Sequence, residues 1–169
     1  MDGGAVAAVA EAPRKVGSRE RVRAYLEARG LAEGLFEFAQ STKTAQQAAD
    51  AMGCELGQIV KSLVFVVDGA PVLALVAGDR RGDTDAIAGL LGGQHAHFAD
   101  VDTVRSATGY AIGGVSPFDL PPELPVFADS SLSRFDVVFP AAGTPTSMVR
   151  MCLAELLELS GARVADIGS

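Results

Sequence analysis

Three places in this 169-residue sequence carry residue types at a spacing that could do chemistry. The first is Lys61 in "GQIVKSLVFVV". It is one of only three lysines beside eleven arginines, and it opens the most hydrophobic run of the chain. On a strand, Lys61, Leu63, Phe65 and Val67 share one face, and Val60, Ser62, Val64 and Val66 share the other. Two readings follow. A lysine can snorkel at a strand end, burying its stem and leaving its head in water. It can equally be a compact cation at the mouth of a pocket, facing a phosphate, carboxylate or carbonyl oxygen. The second place is "GYAIGGVSPFDLPPELPVF", residues 109–127, with three glycines, four prolines and an unusual number of apolar residues for a connection. Gly113 and Gly114 leave backbone N–H groups free of Cβ hindrance. Pro117 fixes its own φ and pushes Ser116 towards an extended shape. Such a loop can present a carbonyl clamp or oxyanion hole, or it can simply connect two elements while its apolar residues cover the core. The third is the pair His95 and His97, which a strand would point to one side. No third ligand at a metal-binding spacing accompanies them, so no metal is expected.

Other chemistry lacks its signature. No G-x-S-x-G elbow, Walker loop or G-x-G-x-x-G is present, and the surroundings of Ser116 do not resemble a strand-to-helix nucleophile elbow. Cys54 and Cys152 have no metal-like spacing and read as free thiols in a reducing cytosol. A net charge of −7 excludes a general polyanion binder, because gripping a phosphate backbone needs a surplus of Lys and Arg. The cationic clusters Arg14, Lys15, Arg19, Arg21, Arg23 and Arg80–Arg81 read as solvated faces or as local patches. No apolar run approaches a membrane span, and the basic residues of the start follow its short apolar stretch, the reverse of a secretory signal. The expectation is a soluble cytoplasmic protein.

The elements that must position these residues follow from capping and periodicity. Residues 1–17 read as a disordered leader and 18–169 as one domain. Ser18 is placed as N-cap of a helix over about 19–29, with Gly30 after it. Thr44 and Gln47 form a capping box for a helix ended by Gly53. "QIVKSLVFVV" and "PVLALVAG" form a hairpin across Asp68-Gly69. A short helix follows, capped near Asp83 or Thr84. "HAHFA" is a strand, and Asp100 caps a helix running to about Ser106. "LPVFAD", "FDVVFP" and "TSMVRM" are further strands, and "CLAELLELSG" is a last helix. Strict β-α-β alternation is missing, so the fold class is a mixed α/β single domain and not a Rossmann fold.

Taken in order, "TAQQAADAMGCELGQIVKSLVFVVDG", "ADVDTVRSATGYAIGGVSPFDLP", "LPVFADSSL" and "FPAAGTP" resemble the YbaK/ProX family of prolyl-tRNA-editing proteins, also found as the inserted editing domain of bacterial prolyl-tRNA synthetases. The resemblance spans roughly residues 18–167, and its main marks are the lysine of "QIVKSLVF" and the G-x-x-x-P loop from Gly113 to Pro117. It implies a curved, partly closed mixed β-sheet surrounded by helices. It also implies a cofactor-free deacylase that clears a wrong amino acid from the aminoacylated 3′ end of tRNA(Pro), with prolyl-tRNA synthetase as a potential partner. Lys61, Gly113, Gly114, Ser116 and Pro117 would then be catalytic, and Val115, Thr44, Asp129, Gly143 and Thr144 would bind substrate. Water, helped by the adenosine's own hydroxyl, would attack in place of a protein nucleophile. The chain departs from cysteine-clearing members at "GTPTSM", Gly143–Met148, where they carry charged residues. That departure leans towards a small amino acid such as alanine over cysteine. Two rival readings stay open: a non-catalytic module binding tRNA ends or a synthetase, and a hydrolase of another small ester with Lys61 on a carboxylate.

Overall fold

The computed structural model describes residues 17–40 and 42–169. Residues 1–16, which hold most of the expected leader with Arg14 and Lys15, lie outside the described residues. The backbone of the fold is the hairpin of β2 (Ile59–Val67) and β3 (Ala70–Ala77), paired in register from Val60 opposite Ala77 to Val67 opposite Ala70. Its two-residue turn puts Asp68 at φ 48° and Gly69 at φ 87°, the left-handed pair that matches strand twist. β5 (Val126–Asp129) runs parallel to β3, and β9 (Arg163–Ala165) runs parallel to β5. On the other side of β2 lie β4 (Ala96–Phe98), antiparallel at its far end, and β6 (Val137–Pro140), parallel at its beginning. β8 (Met151–Cys152) pairs with β6, and β1 (Leu35–Glu37) pairs with β7 (Ser147–Val149). A bridge between Ala141 and Met148 ties that small sheet to the end of β6. The result is a strongly curled mixed sheet, a half-barrel with five helices, as expected from the sequence.

The helices are α1 (Ser18–Glu27), α2 (Ala45–Met52), α3 (Thr84–Leu90), α4 (Val101–Thr108) and α5 (Leu153–Ser160). The expected caps are present on three of them: Thr44, Asp83 and Asp100 accept from the backbone N–H of Gln47, Ala86 and Thr103. The capping box at Thr44 is shifted by one residue, since Gln47 reaches back to the N–H of Lys43 and not to that of Thr44. At α1 the expectation fails by one position. Ser18 is already helical, and Gly17 is the N-cap with no side-chain cap. The end of α1 is sharper than its regular turns suggest. Leu31 N–H returns to Leu26 carbonyl and Gly30 N–H to Glu27 carbonyl, with Gly30 at φ 71°, a Schellman close on the predicted glycine.

Both faces of the central strands are buried. Val60, Val64, Leu73 and Leu75 pack against Val22 and Leu26 of α1, Val104 of α4 and Leu156 of α5. Phe65, Val67, Val72 and Val76 pack against Ile87 of α3 and Ile167. Ala48 and Ala49 of α2 close one end over Ile59, Phe139 and Met148. Continuous apolar runs in β2 and β3 are the signature of such two-sided burial. Two strands lacked any sequence signal. β1 and β9 have three residues each, too few to show a period. "TSMVRM" is a strand broken at Arg150, whose N–H donates to Gly34 carbonyl, so its halves serve different partners.

Candidate active site

The site begins as a gap in the sheet. Along its free edge β2 meets β6 only at Ile59 and Val60 and β4 only from Phe65 onward. Antiparallel pairing alternates which residues turn their backbone groups to a given neighbour. Ile59 carbonyl accepts from Gly78 on the β3 side, and Val64 carbonyl accepts from Ala99 on the β4 side. By that parity Ser62 turns both its N–H and its C=O into the gap, where no strand meets them. A cavity of about 270 Å³ fills this space. Its walls are residues 59–63 of β2, Thr42 and Lys43 ahead of α2 with Thr44, Ala45 and Ala48 at its start, Gly113 and Val115 of the glycine-proline loop, and Ala141, Thr144, Pro145, Ser147 and Met148 of the β6–β7 turn.

Of the residues singled out in the sequence, Lys61, Thr44, Gly113, Val115 and Thr144 therefore meet in one cavity. Gly114 and Gly143 do not line it; they let its walls touch. A Cβ on Gly114 would stand 2.8 Å from Gly143 carbonyl oxygen and 2.9 Å from Thr144 Cα. Gly143, at φ 99°, packs in turn on the Ser18 backbone of α1. Gly114 N–H, expected to be free for a carbonyl, is spent on Ala111 carbonyl at 3.0 Å. Among the described residues the amides of Gly113 and Val115 have no hydrogen-bond partner, so they are the clamp candidates. Ser116 is fully buried with an unpartnered Oγ away from the cavity wall, and Pro117 is buried facing another hollow beside Tyr25. Asp129 also lies elsewhere: its carboxylate takes the N–H groups of Ser131, Ile167 and Gly168.

The apolar residues of the loop have a different task from walling the cavity. Only Val115 lines it, while Tyr110, Phe118 and Leu124 are in the main core and Ile112 is exposed. Tyr110 is the bolt. Its hydroxyl donates to Phe118 carbonyl at 2.6 Å across the loop, and burial pushes its pKa up to about 12, so it stays a donor. Arg21 of α1 lies over the Tyr110 ring and pairs with Asp119 at 2.8 Å, clasping the loop from outside. The other cations of that cluster among the described residues, Arg19 and Arg23, both pair with Glu37. Arg19, Arg21 and Arg23 are thus committed to ion pairs within the fold.

Lys61 is half-buried, and its ammonium donates to Arg80 carbonyl. Burial pushes its pKa down, the nearby Arg81 adds to that, and Asp79 opposes it. Asp79 is itself held by both guanidinium nitrogens of Arg134, at 2.9 and 2.8 Å, which keeps its carboxyl below the ordinary carboxylate value. One functional candidate was missed in the sequence: Ser62. The residue lines the cavity, and its Oγ lies buried behind that wall without a hydrogen-bond partner. Thr144 and Ser147, hydrogen-bonded at 2.7 Å, line the same cavity. Among the described residues no carboxylate, imidazole or thiol lines it. His95 and His97 are exposed near β4, and among the described residues no group of three or more metal-ligating side chains exists. No helix among the described residues is long and apolar enough to cross a membrane.

A curled mixed sheet with a gap holding one half-buried lysine, facing a glycine-hinged loop, defines a small mixed α/β domain with a cavity at the open edge of its sheet. The comparison with known proteins makes the class specific. Residues 39–159 match the aminoacyl-tRNA editing domain, and the chain belongs to that family, which includes proteins named as aminoacyl-tRNA deacylases. A solved structure of a proposed trans-editing enzyme for prolyl-tRNA synthetase superposes with a TM-score of 0.82 at 42% identity, covering 95% of this chain and 99% of that one. The uncharacterised Bacillus subtilis protein YwhH is 39% identical over 129 residues, 76% of this chain and 82% of its own. The Escherichia coli multifunctional Ser/Thr-tRNA deacylase ProXp-y is 34% identical over 113 residues, 64% of this chain and 68% of its own.

Proposed function

We propose that the protein is a trans-acting deacylase that hydrolyses the ester of mischarged tRNA(Pro). The observation that carries this reading is the make-up of the cavity: the half-buried Lys61 ammonium, the exposed Lys43 at the rim, two uncommitted loop amides and several hydroxyls, with no carboxylate, imidazole or thiol among its described lining. Such a site cannot form an acyl-enzyme through an activated side chain. It can hold a reactive ester and stabilise charge as water adds. In this reading the Gly113 and Val115 amides grip the aminoacyl carbonyl oxygen, and Lys61 holds a phosphate or carbonyl oxygen of the terminal adenosine. Water oxygen bonds to the carbonyl carbon, the bond to the ribose oxygen breaks, and the water proton passes to that ribose oxygen. The neighbouring ribose hydroxyl guides the water.

A cavity of about 270 Å³ lined by Thr, Ser, Ala and Val supports a small side chain, the class that "GTPTSM" suggested. Within that class, the unpartnered Ser62 hydroxyl, once turned from its buried position towards the cavity, favours serine or threonine over alanine. An alanyl group would leave that oxygen unpaired, at a cost of about 1–3 kcal/mol. The Ser/Thr-tRNA deacylase named among the relatives agrees with this preference. The test is a deacylation panel using tRNA(Pro) charged with Ala, Cys, Ser, Thr and Pro, read as free amino acid released. Release from Ser- and Thr-tRNA(Pro) with Pro-tRNA(Pro) spared is expected, as is near-complete loss in Lys61→Ala. Gel retardation of mischarged tRNA with no release would make the protein a binding module. Full activity in Lys61→Ala would remove the role given to the lysine.

A further inference from the structure

We infer that Asp129 is a positioning residue for Lys61, acting through the segment Asp166–Ser169. The inference rests on the role proposed above for Lys61. Lys61 stands opposite Val76, and Leu75 stands opposite Ala128, so Lys61, Val76 and Asp129 form a row across β2, β3 and β5. Phe65, Val76 and Phe127 belong to one packed cluster, which puts the alternate residues Lys61 and Asp129 on that same face. Two strand spacings, about 10 Å, separate them, too far for contact between the two side chains' own strands.

Residues 166–169 bridge the distance. Ile167 and Gly168 donate their N–H groups to Asp129 Oδ1 at 2.9 and 2.7 Å. Ser131 donates to Oδ2 with both its N–H and its hydroxyl. Four donors thus hold a carboxylate whose residue is 4% exposed. From there the segment pairs with residues 81–83. Asp83 N–H donates to Ile167 carbonyl at 2.7 Å, Arg81 N–H to Ser169 carbonyl at 3.0 Å, and Ser169 N–H to Arg81 carbonyl at 2.9 Å. The carbonyl immediately before this clamped stretch, that of Arg80, is the one that accepts the Lys61 ammonium. The seat is tight at both ends. The Ile167 side chain is fully buried with Phe65, and a Cβ on Gly168 would stand 2.6 Å from Asp129 Oδ2.

A lysine head on a flexible four-carbon stem has no fixed place of its own. It is placed by its acceptor, and this acceptor is placed by the 81–83 clamp. Loss of the Asp129 carboxylate strands two N–H groups of the segment and frees the stretch that carries Arg80. Neither charged neighbour of Lys61, Arg81 or Asp79, bonds the Asp129 carboxylate directly, so the change reaches Lys61 through the segment and the 81–83 stretch.

The chain has three lysines, so the side-chain NMR signal of Lys61 is assigned by its disappearance in Lys61→Arg. Full-length wild type, Asp129→Ala, Asp129→Asn and Gly168→Ala are compared by that signal, its titration and single-turnover deacylation. In Asp129→Ala the single-turnover rate falls about 10- to 100-fold, the scale of a misplacement approaching 1 Å. Binding of the tRNA changes less than about twofold, and Lys61 titrates closer to free lysine. Asp129→Asn keeps one acceptor oxygen and lies between Asp129→Ala and wild type. The inference is overturned if Asp129→Ala melts earlier yet keeps the wild-type Lys61 signal, titration and rate. Should Asp129→Ala fail to fold, Gly168→Ala, which crowds the same contact from the segment side, decides by the same readouts. Failure of wild type to release amino acid would sink the deacylase reading alone, since the NMR arm still reports where Lys61 is held.

Discussion

Gly114→Ala tests the geometry of the site without touching any group that bonds substrate. The new methyl would sit 2.8 Å from Gly143 carbonyl oxygen, about 0.6 Å short of ordinary contact, and 2.9 Å from Thr144 Cα. Both obstacles are backbone, so neither can swing aside. Gly114 does not occupy the left-handed region, so an alanine there suffers no dihedral penalty and the effect is purely steric. The loop must part from the β6–β7 turn by about half an ångström. Overpacking of this kind costs about 1–3 kcal/mol, or a fall of roughly 3–10 °C in melting temperature for a domain of this size. The same displacement moves Gly113 and Val115 relative to Thr144. A 1 Å misplacement costs on the order of 100-fold, so half of that distance predicts a loss of about tenfold. Thermal melts and single-turnover deacylation measure the two effects. Gly113→Ala is the control: its methyl finds open space, 4.0 Å from Pro145, but its φ of 89° costs about 1–2 kcal/mol in strain. If Gly114→Ala melts and turns over like wild type, the loop and the turn are not the rigid walls described.

Three further outcomes follow from the same contacts. Ser62→Ala removes the unpartnered hydroxyl; relative rates on Ser- and Ala-tRNA(Pro) shift about tenfold towards alanine, and an unchanged ratio rejects Ser62 as the selecting group. Tyr110→Phe leaves the buried Phe118 carbonyl without its donor and destabilises by about 1–3 kcal/mol in denaturant titration; an unchanged midpoint means the bolt carries no load. Burial, then Arg81, lowers the Lys61 pKa from about 10.5, so the unfolded chain holds that proton more tightly than the folded one. Lys61 therefore adds stability as pH rises from its depressed folded value towards 10.5, and ammonium-dependent activity falls over the same window. After subtraction of spontaneous ester hydrolysis, an alkaline limb should appear below the ordinary lysine value and vanish in Lys61→Arg. A limb at or above 10.5 contradicts the burial effect.

Much of the architecture was legible because it is local. Thr44, Asp83 and Asp100 sit at helix starts, and Gly30, Gly53 and Gly161 sit at helix ends, because capping depends on the few residues around it. Asp68-Gly69 sets its turn through backbone sterics alone, and the alternation of β2 places Lys61 on the face with Leu63, Phe65 and Val67 before any partner strand is known. Lys61 and the loop from Gly113 to Pro117 stood out by residue type, and the family by their order. The tertiary structure decided what these residues meet. Gly114 is a contact and not a donor because Gly143 arrives from 29 residues away. Ser62 matters because β4 and β6 both stop short of it, and strand length on two neighbours cannot be read from its own segment. Asp129 sits apart from the cavity because the closing segment of the chain returns to claim its carboxylate. Periodicity and capping act within a few residues, whereas a gap in a sheet, a buried orphan hydroxyl and a clamped carbonyl exist only once distant strands have been brought together.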